Sequence, residues 1–277
     1  MSAARPTLVL ACLLLVACAA LPLPKAVTYH PSDADLTVTR IVHASLIVEM
    51  RGTRVLVDPW FHSGGLVRQD EPLGLLPEGL PPVAAVLITH GHADHLDPDA
   101  LRALAPKVPV VIAPAALHAA LAGLGFTTVT DLGWWDRTSV GSVDVTAVPA
   151  RHGGVENGYV LGHAGVTIYV AGDTRTMPAF VDIATVFPQL DVAVLPVGGQ
   201  RILGFLREMS PEEAARAAKT LGVRRIIPYH YGAAGGPPFS WRAAHPIQRF
   251  IDACSAEDIP ADHVVVLEPG ESWHYFK

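Results

Sequence analysis

One stretch decides the fold, Thr89-His90-Gly91-His92-Ala93-Asp94-His95, which places three histidines and an aspartate within six residues. The apolar run before it, residues 83–88, is typical of a buried strand. After it, Asp97 predicts the N-cap of a helix and Pro98 its first position. A tight loop between a core strand and a helix therefore carries four candidate metal ligands. Imidazole and carboxylate groups suit zinc, and less selectively iron or manganese.

Further ligand-type side chains recur along the chain, each just past an apolar run that predicts a strand. Strand ends on one side of a sheet can converge on a common crevice in α/β folds. Together with the loop, these residues exceed what one metal ion needs and suffice for two. They are Asp58, His152, Asp173 and His230.

Composition narrows the class of protein. The chain has 277 residues, of which 50% are hydrophobic and 17% charged, enough for one large domain or two small ones. The formal net charge is −6 and no basic cluster occurs, so we expect no nucleic-acid partner. Strand-like runs come first and are followed by helices interleaved with strands. This order predicts a mixed α/β protein with sheets packed between helical layers.

The N-terminal region has the pattern of an export signal. Arg5 precedes an apolar run over residues 8–17, which is short for a membrane span. The run ends in Leu15-Val16-Ala17-Cys18, which resembles a bacterial lipobox, where the signal is removed and the cysteine carries a lipid. We therefore expect a signal peptide at 1–17, a tether at 18–35 and a domain at 36–277.

This pattern predicts a protein of the bacterial cell envelope that the membrane holds through a lipid on Cys18. Ordinary cleavage near Cys18 would instead give a soluble periplasmic or secreted protein, and an uncleaved anchor is the third alternative. Cys254 is the remaining cysteine of the body, where we expect a buried thiol.

The ordered motif set resembles the metallo-β-lactamase superfamily over essentially all of residues 36–277. The resemblance implies a single α/β domain, a four-layered αβ/βα sandwich, with two divalent metal ions at its edge, zinc with manganese or iron as alternatives. Carried onto this chain, it implies that Asp173 bridges the two ions. The first ion would be held by His90, His92 and His152, and the second by Asp94, His95 and His230.

Local segments resemble one branch of that superfamily, which contains N-acyl-phosphatidylethanolamine phospholipase D and the ascorbate phosphate lactonase-like proteins. Val57-Asp58-Pro59-Trp60-Phe61 and the segment at 131–136 are similar to parts of this branch. One departure concerns a histidine that the phospholipase carries just before an equivalent helix start. The corresponding place here is near Glu208, which puts that enzyme's substrate in doubt.

The chemistry that follows is hydrolysis. Two metal ions about 3.5–4 Å apart can share a water and lower its pKa toward ~7, so that hydroxide is the nucleophile. We expect a phosphodiesterase or lactonase acting on a small-molecule or lipid-like anionic substrate. Asp94 is assigned two catalytic roles, as a metal ligand and as the acceptor that orients the hydroxide. A non-catalytic, lipid-anchored binding protein that kept the fold is the alternative.

Other assignments have two interpretations. His43 either faces the pocket as a catalytic group that stabilises an oxyanion or phosphate, or is a core histidine. Asp58 either orients a ligand histidine or caps a turn before Pro59. The apolar loops at 61–82 and 202–206 either contact a lipid or ligand or fold over the domain's own core. Arg201 either meets an anionic substrate or lies in solvent.

Overall fold

The computed structural model describes residues 27–64, 67–108, 110–234, 236 and 240–277. The strands are β1 (Leu36–Val42), β2 (Ser45–Met50), β3 (Thr53–Val57), β4 (Arg68–Gln69), β5 (Ala85–Leu87), β6 (Val110–Ala113), β7 (Thr128–Asp131), β8 (Arg137–Val140), β9 (Val143–Pro149), β10 (Asn157–His163), β11 (Val166–Val170), β12 (Val192–Pro196), β13 (Arg201–Ile202), β14 (Phe205–Leu206), β15 (Arg225–Tyr229), β16 (Ala233–Ala234), β17 (Ser240–Trp241) and β18 (Ser272–Tyr275). The helices are α1 (Pro98–Leu104), α2 (His118–Ala122), α3 (Ala179–Val186), α4 (Pro211–Leu221) and α5 (Pro246–Ala256). The predicted signal peptide, Cys18 and the start of the predicted tether lie outside the described residues.

Two large sheets form the centre of the molecule. The first has seven strands in the order β18-β1-β2-β3-β5-β6-β7, and it is antiparallel from β18 to β3 and parallel from β3 to β7. The second has six strands in the order β15-β12-β11-β10-β9-β8, with β11, β12 and β15 parallel. Two small sheets, β14-β13-β17 and β16-β4, lie outside this pair.

Because side chains alternate between the two faces of each strand, the buried hydrophobic residues form three clusters, one between the sheets and one on the outer face of each sheet. On β2, Leu46 and Val48 face the second sheet, whereas Ile47 faces the opposite way, toward Leu101 of α1. On the outer side of the second sheet, side chains such as Tyr169 pack against α3, α4 and α5. The layers are therefore helix, sheet, sheet, helix, which confirms the predicted αβ/βα sandwich.

The helix starts follow local chemistry. The Asp97 carboxylate accepts hydrogen bonds from the backbone N–H groups of Asp99 and Ala100, as an N-cap does. Ser210 and Glu213 form a reciprocal capping box at α4, which ends at Gly222 in the left-handed conformation. The first cap holds the end of the loop that carries the candidate ligands.

Two segments differ from what their sequences predict. The run 36–50 predicts one long strand, but it is a hairpin of two strands, because the chain reverses at His43, which adopts φ +50°. Residues 263–267 predict a last strand, but they make a single bridge, between Val264 and Ile226. The strand that closes the first sheet is instead β18, whose Tyr275 pairs with Leu36.

The segments next to the domain are packed on it. Residues 27–35, assigned to a tether, lie against the first sheet: Tyr29 hydrogen-bonds Glu49, and Arg54 stacks 5.3 Å from the Tyr29 ring centroid. The last part of the predicted tether, residues 27–35, thus contacts the domain. In the loop 61–82, Phe61 and Leu75 are buried in the domain's own core. Among the described residues, no helix has the length and apolar character needed to cross a bilayer.

Candidate metal centre

The candidate ligands meet at one end of the sandwich. The loop after β5 carries His90, His92, Asp94 and His95, and it lies beside the end of β3, which leads into Asp58. The second sheet contributes residues that follow the ends of β9, β11 and β15, namely His152, Asp173 and His230. Strand ends from both sheets thus supply one site.

Three imidazoles and a carboxylate form the first cluster. His92 Nδ1 lies 2.9 Å from His90 Nε2 and 3.0 Å from His152 Nε2. Asp173 Oδ2 lies 3.9 Å from His90 Nε2 and 3.8 Å from His152 Nε2. Such spacings are close to the roughly 3.3 Å that separates ligand atoms around a tetrahedral ion bound at about 2.0–2.1 Å.

The second cluster shares Asp173. Its Oδ1 lies 2.8 Å from His230 Nε2 and 3.3 Å from His95 Nε2, and these two nitrogens are 3.0 Å apart. Asp94 Oδ2 is 3.8 Å from His230 Nε2. One oxygen of Asp173 thus faces each cluster, which is the arrangement required of a bridging carboxylate.

The outward-facing ring nitrogens show where the imidazole protons lie. His95 Nδ1 donates to Asp58 Oδ2 at 2.7 Å, and His152 Nδ1 donates to the Arg207 carbonyl oxygen at 2.7 Å. Since the Thr89 hydroxyl donates to Asp58, it accepts from His90 Nδ1 at 3.0 Å. With a proton on each Nδ1, a neutral ring presents the Nε2 lone pair to the cluster.

These ring nitrogens and carboxylate oxygens converge in a buried place, where only bound cations or protons can separate them. Such a set is costly unless a cation lies among the groups. The residues therefore fit a pair of divalent ions.

Electrostatics agree with this arrangement. Burial lowers the pKa of His90 well below its ordinary value, and the neighbouring His95 adds to the effect. Burial also lowers the pKa of His95, but the carboxylates of Asp173 and Asp58 outweigh it, so the net pKa lies well above the ordinary value. The pKa of His230 rises to about 9, because Asp173 and Glu208 likewise outweigh its burial. Near Asp173, the site attracts positive charge.

The Asp58 carboxylate makes the contact that its first interpretation requires, and its hydrogen bonds go to His95 and Thr89 rather than to the turn at Pro59. It accepts from His95, and its other oxygen accepts from the Thr89 backbone N–H at 2.8 Å. It therefore orients a candidate ligand and also holds the start of the ligand loop. Glu208 is a comparable partner that the sequence did not suggest: its buried Oε2 contacts His230 Nδ1.

His43 is fully buried at the β1–β2 turn and does not line the cavity above the clusters. Its Nδ1 accepts from the Gly232 backbone N–H at 3.1 Å, so its proton is on Nε2. That nitrogen lies 3.4 Å from Asp94 Oδ2. Burial, with smaller effects of His230 and Arg242, lowers the pKa of His43 well below its ordinary value. The ring is a neutral donor directed at Asp94, and the expected direct contact with the pocket is absent from the described structure.

A cavity of about 310 Å³ opens over the two clusters. His92, Asp94, His152 and Asp173 form its floor. Its walls are formed by Val67, Ala93, Gln200, Ile202, Ala234, Gly236 and Ser240. The volume suits a small molecule.

The hairpin of β13 and β14 stands at the rim of this cavity. Ile202 is 40% exposed, Leu203 66% and Phe205 73%, so this loop does not fold over the core. Arg201 is exposed, donates to the Gly204 carbonyl oxygen and lines a neighbouring cavity. It does not line the metal-site cavity, which favours the second of its two interpretations, an arginine in solvent.

Comparison with known proteins places the chain in a family. Residues 53–231 match the model described as the Beta-lactamase superfamily domain. The UPF0173 metal-dependent hydrolase of Pyrococcus furiosus is 32% identical over 244 residues, which cover 85% of this chain and 97% of that relative. The relative of the same name from Koribacter versatilis is 30% identical over 256 residues, which cover 86% and 97%. The chain is a member of the UPF0173 metal-dependent hydrolase family.

A solved structure shares the fold of this UPF0173 protein. Igni18, described as a novel metallo hydrolase from Ignicoccus hospitalis, aligns with a TM-score of 0.69 at 25% identity and covers 87% of this chain and 99% of its own. The predicted superfamily is confirmed. The finer resemblance to the phospholipase and lactonase branch stays a prediction.

Proposed function

We propose that this UPF0173 hydrolase holds two divalent ions and hydrolyses an ester bond, in either a lactone or a phosphodiester. The observation that supports the proposal is the position of Asp173, which directs one oxygen into each of two histidine clusters. A single structural ion would need neither the second cluster nor a shared carboxylate. We propose zinc as the metal, with manganese or iron as alternatives.

When bound, the two ions would lower the pKa of a water molecule toward ~7 and polarise the oxygen of the bond under attack. The chain supplies the remaining groups. Asp94 lies on the cavity floor, where its carboxylate can accept a proton from water and fix the direction of the oxygen lone pair. Ser240 is the one hydroxyl side chain among the described residues lining the cavity, and it contacts Gln200 rather than a base.

In this proposal His43 is a positioning residue for Asp94. Its backbone N–H donates to Glu71 at 2.8 Å and its carbonyl oxygen accepts from the His230 N–H at 3.1 Å. These two bonds fix the backbone of His43, and the Gly232 N–H holds its ring through Nδ1. The Nε2 proton that faces Asp94 therefore keeps one carboxylate oxygen from rotating away from the site.

Metal analysis combined with substrate assays tests the proposal. Metal-loaded protein should contain two ions per chain and hydrolyse a lactone or bis(p-nitrophenyl) phosphate. Asp173→Ala should lose metal and activity together, whereas the exposed Asp252→Ala on α5 should keep both. A protein that binds two ions and hydrolyses neither substrate would support the non-catalytic alternative. Retained activity in Asp173→Ala would show that the bridge is misplaced.

We also propose that the protein is exported and held in the cell envelope by a lipid on Cys18. The support is the lipobox-like Leu15-Val16-Ala17-Cys18 at the end of the apolar run. Mass spectrometry of the mature N-terminus should find residues 1–17 removed and a lipid mass on Cys18. An N-terminus that begins after Cys18 would indicate the soluble periplasmic or secreted form, and an intact N-terminus would contradict cleavage.

A further inference from the structure

We propose that the substrate of this site is uncharged and has an apolar body attached to the reacting bond, as in an alkyl-substituted lactone. The inference rests on the proposed function, and it chooses between the two substrate classes that the metal chemistry permits. It would exclude an anionic phosphodiester as the preferred substrate. Two features of the cavity support it, the charge around the floor and the composition of the walls.

The first feature is the number of acidic groups at the floor. Four buried carboxylates surround the ligand clusters, which is enough to offset the four positive charges of two divalent ions. An activated hydroxide would make the site negative, which disfavours an anion. The four are Asp58, Asp94, Asp173 and Glu208.

Basic side chains nearby do not reverse this balance. Arg242 lies behind His230, where its Nη1 donates to the His230 carbonyl oxygen at 2.8 Å, and it lines neighbouring cavities. Arg40 is bound to Glu71, so that pair is neutral. Neither of these two guanidinium groups lines the substrate cavity.

The second feature is the walls. Val67, Ala93, Ile202 and Ala234 are apolar, and Gln200 and Ser240 are neutral. No lysine or arginine occurs among the described residues that line the cavity. Recognition of a phosphodiester ordinarily uses arginine or lysine, which these walls lack.

The reaction is balanced with water alone. Water adds to the lactone carbonyl carbon, the ring C–O bond breaks, and the leaving oxygen takes a proton. The products are a hydroxy carboxylate and one proton. The carboxylate is anionic, so a negatively charged site also favours release of this product.

A series of γ-lactones with lengthening alkyl chains tests the inference on the metal-loaded full chain. Burial of each added methylene against the apolar wall should raise kcat/KM by up to about fourfold until the cavity is filled. Bis(p-nitrophenyl) phosphate should be a poorer substrate than the longer lactones. Equal turnover along the series, or preference for the phosphodiester, would overturn the inference.

A charge substitution at the wall gives the matched comparison. Ile202→Arg places a cation at the cavity, and it should raise kcat/KM for the phosphodiester and lower it for the hexyl-substituted lactone. Phe205→Arg adds the same charge on the same hairpin, outside the cavity lining, and should change neither. Identical effects of the two variants would contradict the role assigned to the wall.

Binding provides a readout that does not need catalysis. Calorimetry should show that the hexyl-substituted γ-lactam, an analogue that resists hydrolysis, binds more tightly than dihexyl phosphate, and Ile202→Arg should reverse the order. If no substrate is cleaved but the lactam binds as stated, the proposed function fails and the inference about the cavity survives. Tighter binding of dihexyl phosphate by the unmodified protein would refute the inference alone.

Discussion

Asp58 Oδ2 lies 2.7 Å from His95 Nδ1, and neither side chain is exposed to solvent. The same carboxylate accepts from the backbone and the hydroxyl of Thr89 at 2.8 and 2.7 Å. One residue at the end of β3 therefore fixes both the start of the ligand loop and the orientation of an imidazole within it. Carboxylates that orient a ligand histidine commonly have a large effect on metal affinity, although they do not touch the metal.

Asp58→Asn should weaken metal binding by about 10–100-fold, because the amide is a poorer acceptor for the His95 N–H. Asparagine tolerates the φ of +44° that Asp58 adopts, so the backbone should be preserved. Competition with a chromogenic chelator measures the affinity. Asp144→Asn, at an exposed position on β9, is the control and should leave it unchanged. Equal affinities for Asp58→Asn and the original protein would show that Asp58 serves only to hold the start of the ligand loop at Thr89.

His43→Asn should lower kcat by about a hundredfold while metal content and KM stay nearly constant, because Asp94 loses the donor that orients it. The Asn amide oxygen can still accept from Gly232, and Asn tolerates the positive φ at this position. His43→Gln returns an N–H group near the Nε2 position and should recover part of the rate. Steady-state kinetics beside metal analysis separate the two effects. A parallel loss of metal would instead make His43 a ligand, in the cluster that it forms with Asp94 and His230.

Ser210→Ala should destabilise the domain by about 1 kcal/mol, since it removes the side-chain half of the capping box at α4. Urea denaturation followed by circular dichroism measures the change. Thr220→Ala lies in the last turn of the same helix, is exposed, and should cost much less. If the two variants were equally stable, the cap would contribute nothing measurable.

Cys254 should resist alkylation in the folded protein. Its side chain is 1% exposed, and burial raises its pKa from 9.0 to about 11, so at pH 8 the thiol stays protonated and unreactive. The raised pKa leaves on the order of a hundredfold less thiolate than an ordinary cysteine would carry. Iodoacetamide labelling with peptide mapping should modify Cys254 only after unfolding in urea. Rapid labelling of the native protein would refute this burial.

The ligand positions were predictable because imidazole and carboxylate side chains are conspicuous where they follow apolar strands. The loop at 89–95, and the later His152, Asp173 and His230, lie in the structure where that pattern placed them, at one end of the sheets. The layered fold followed from the resemblance and from the order of strands and helices, which the structure confirms.

Other features left little trace in the sequence. The β1–β2 turn has no glycine or asparagine, since His43 itself takes the left-handed conformation, so the hairpin appeared as one strand. In the sequence, Glu208 cannot be distinguished from any other acidic residue that precedes a helix. Its contact with His230 arises only when the segment before α4 packs beside the end of β15. Contacts of this kind form only in the tertiary structure, so no local sequence pattern predicts them.

The pairing of β1 with β18 imposes an order on assembly. Thr37 lies opposite His274, and the Thr37 hydroxyl is 3.0 Å from His274 Nδ1, although almost the whole domain separates them along the chain. During synthesis, β1 emerges before the other described strands, but one of its edges stays unpaired until β18 has been made. An open strand edge can pair with other chains, and contacts between residues so far apart in sequence slow folding. Of the described strands, the one made first is thus among the last to complete its hydrogen bonds.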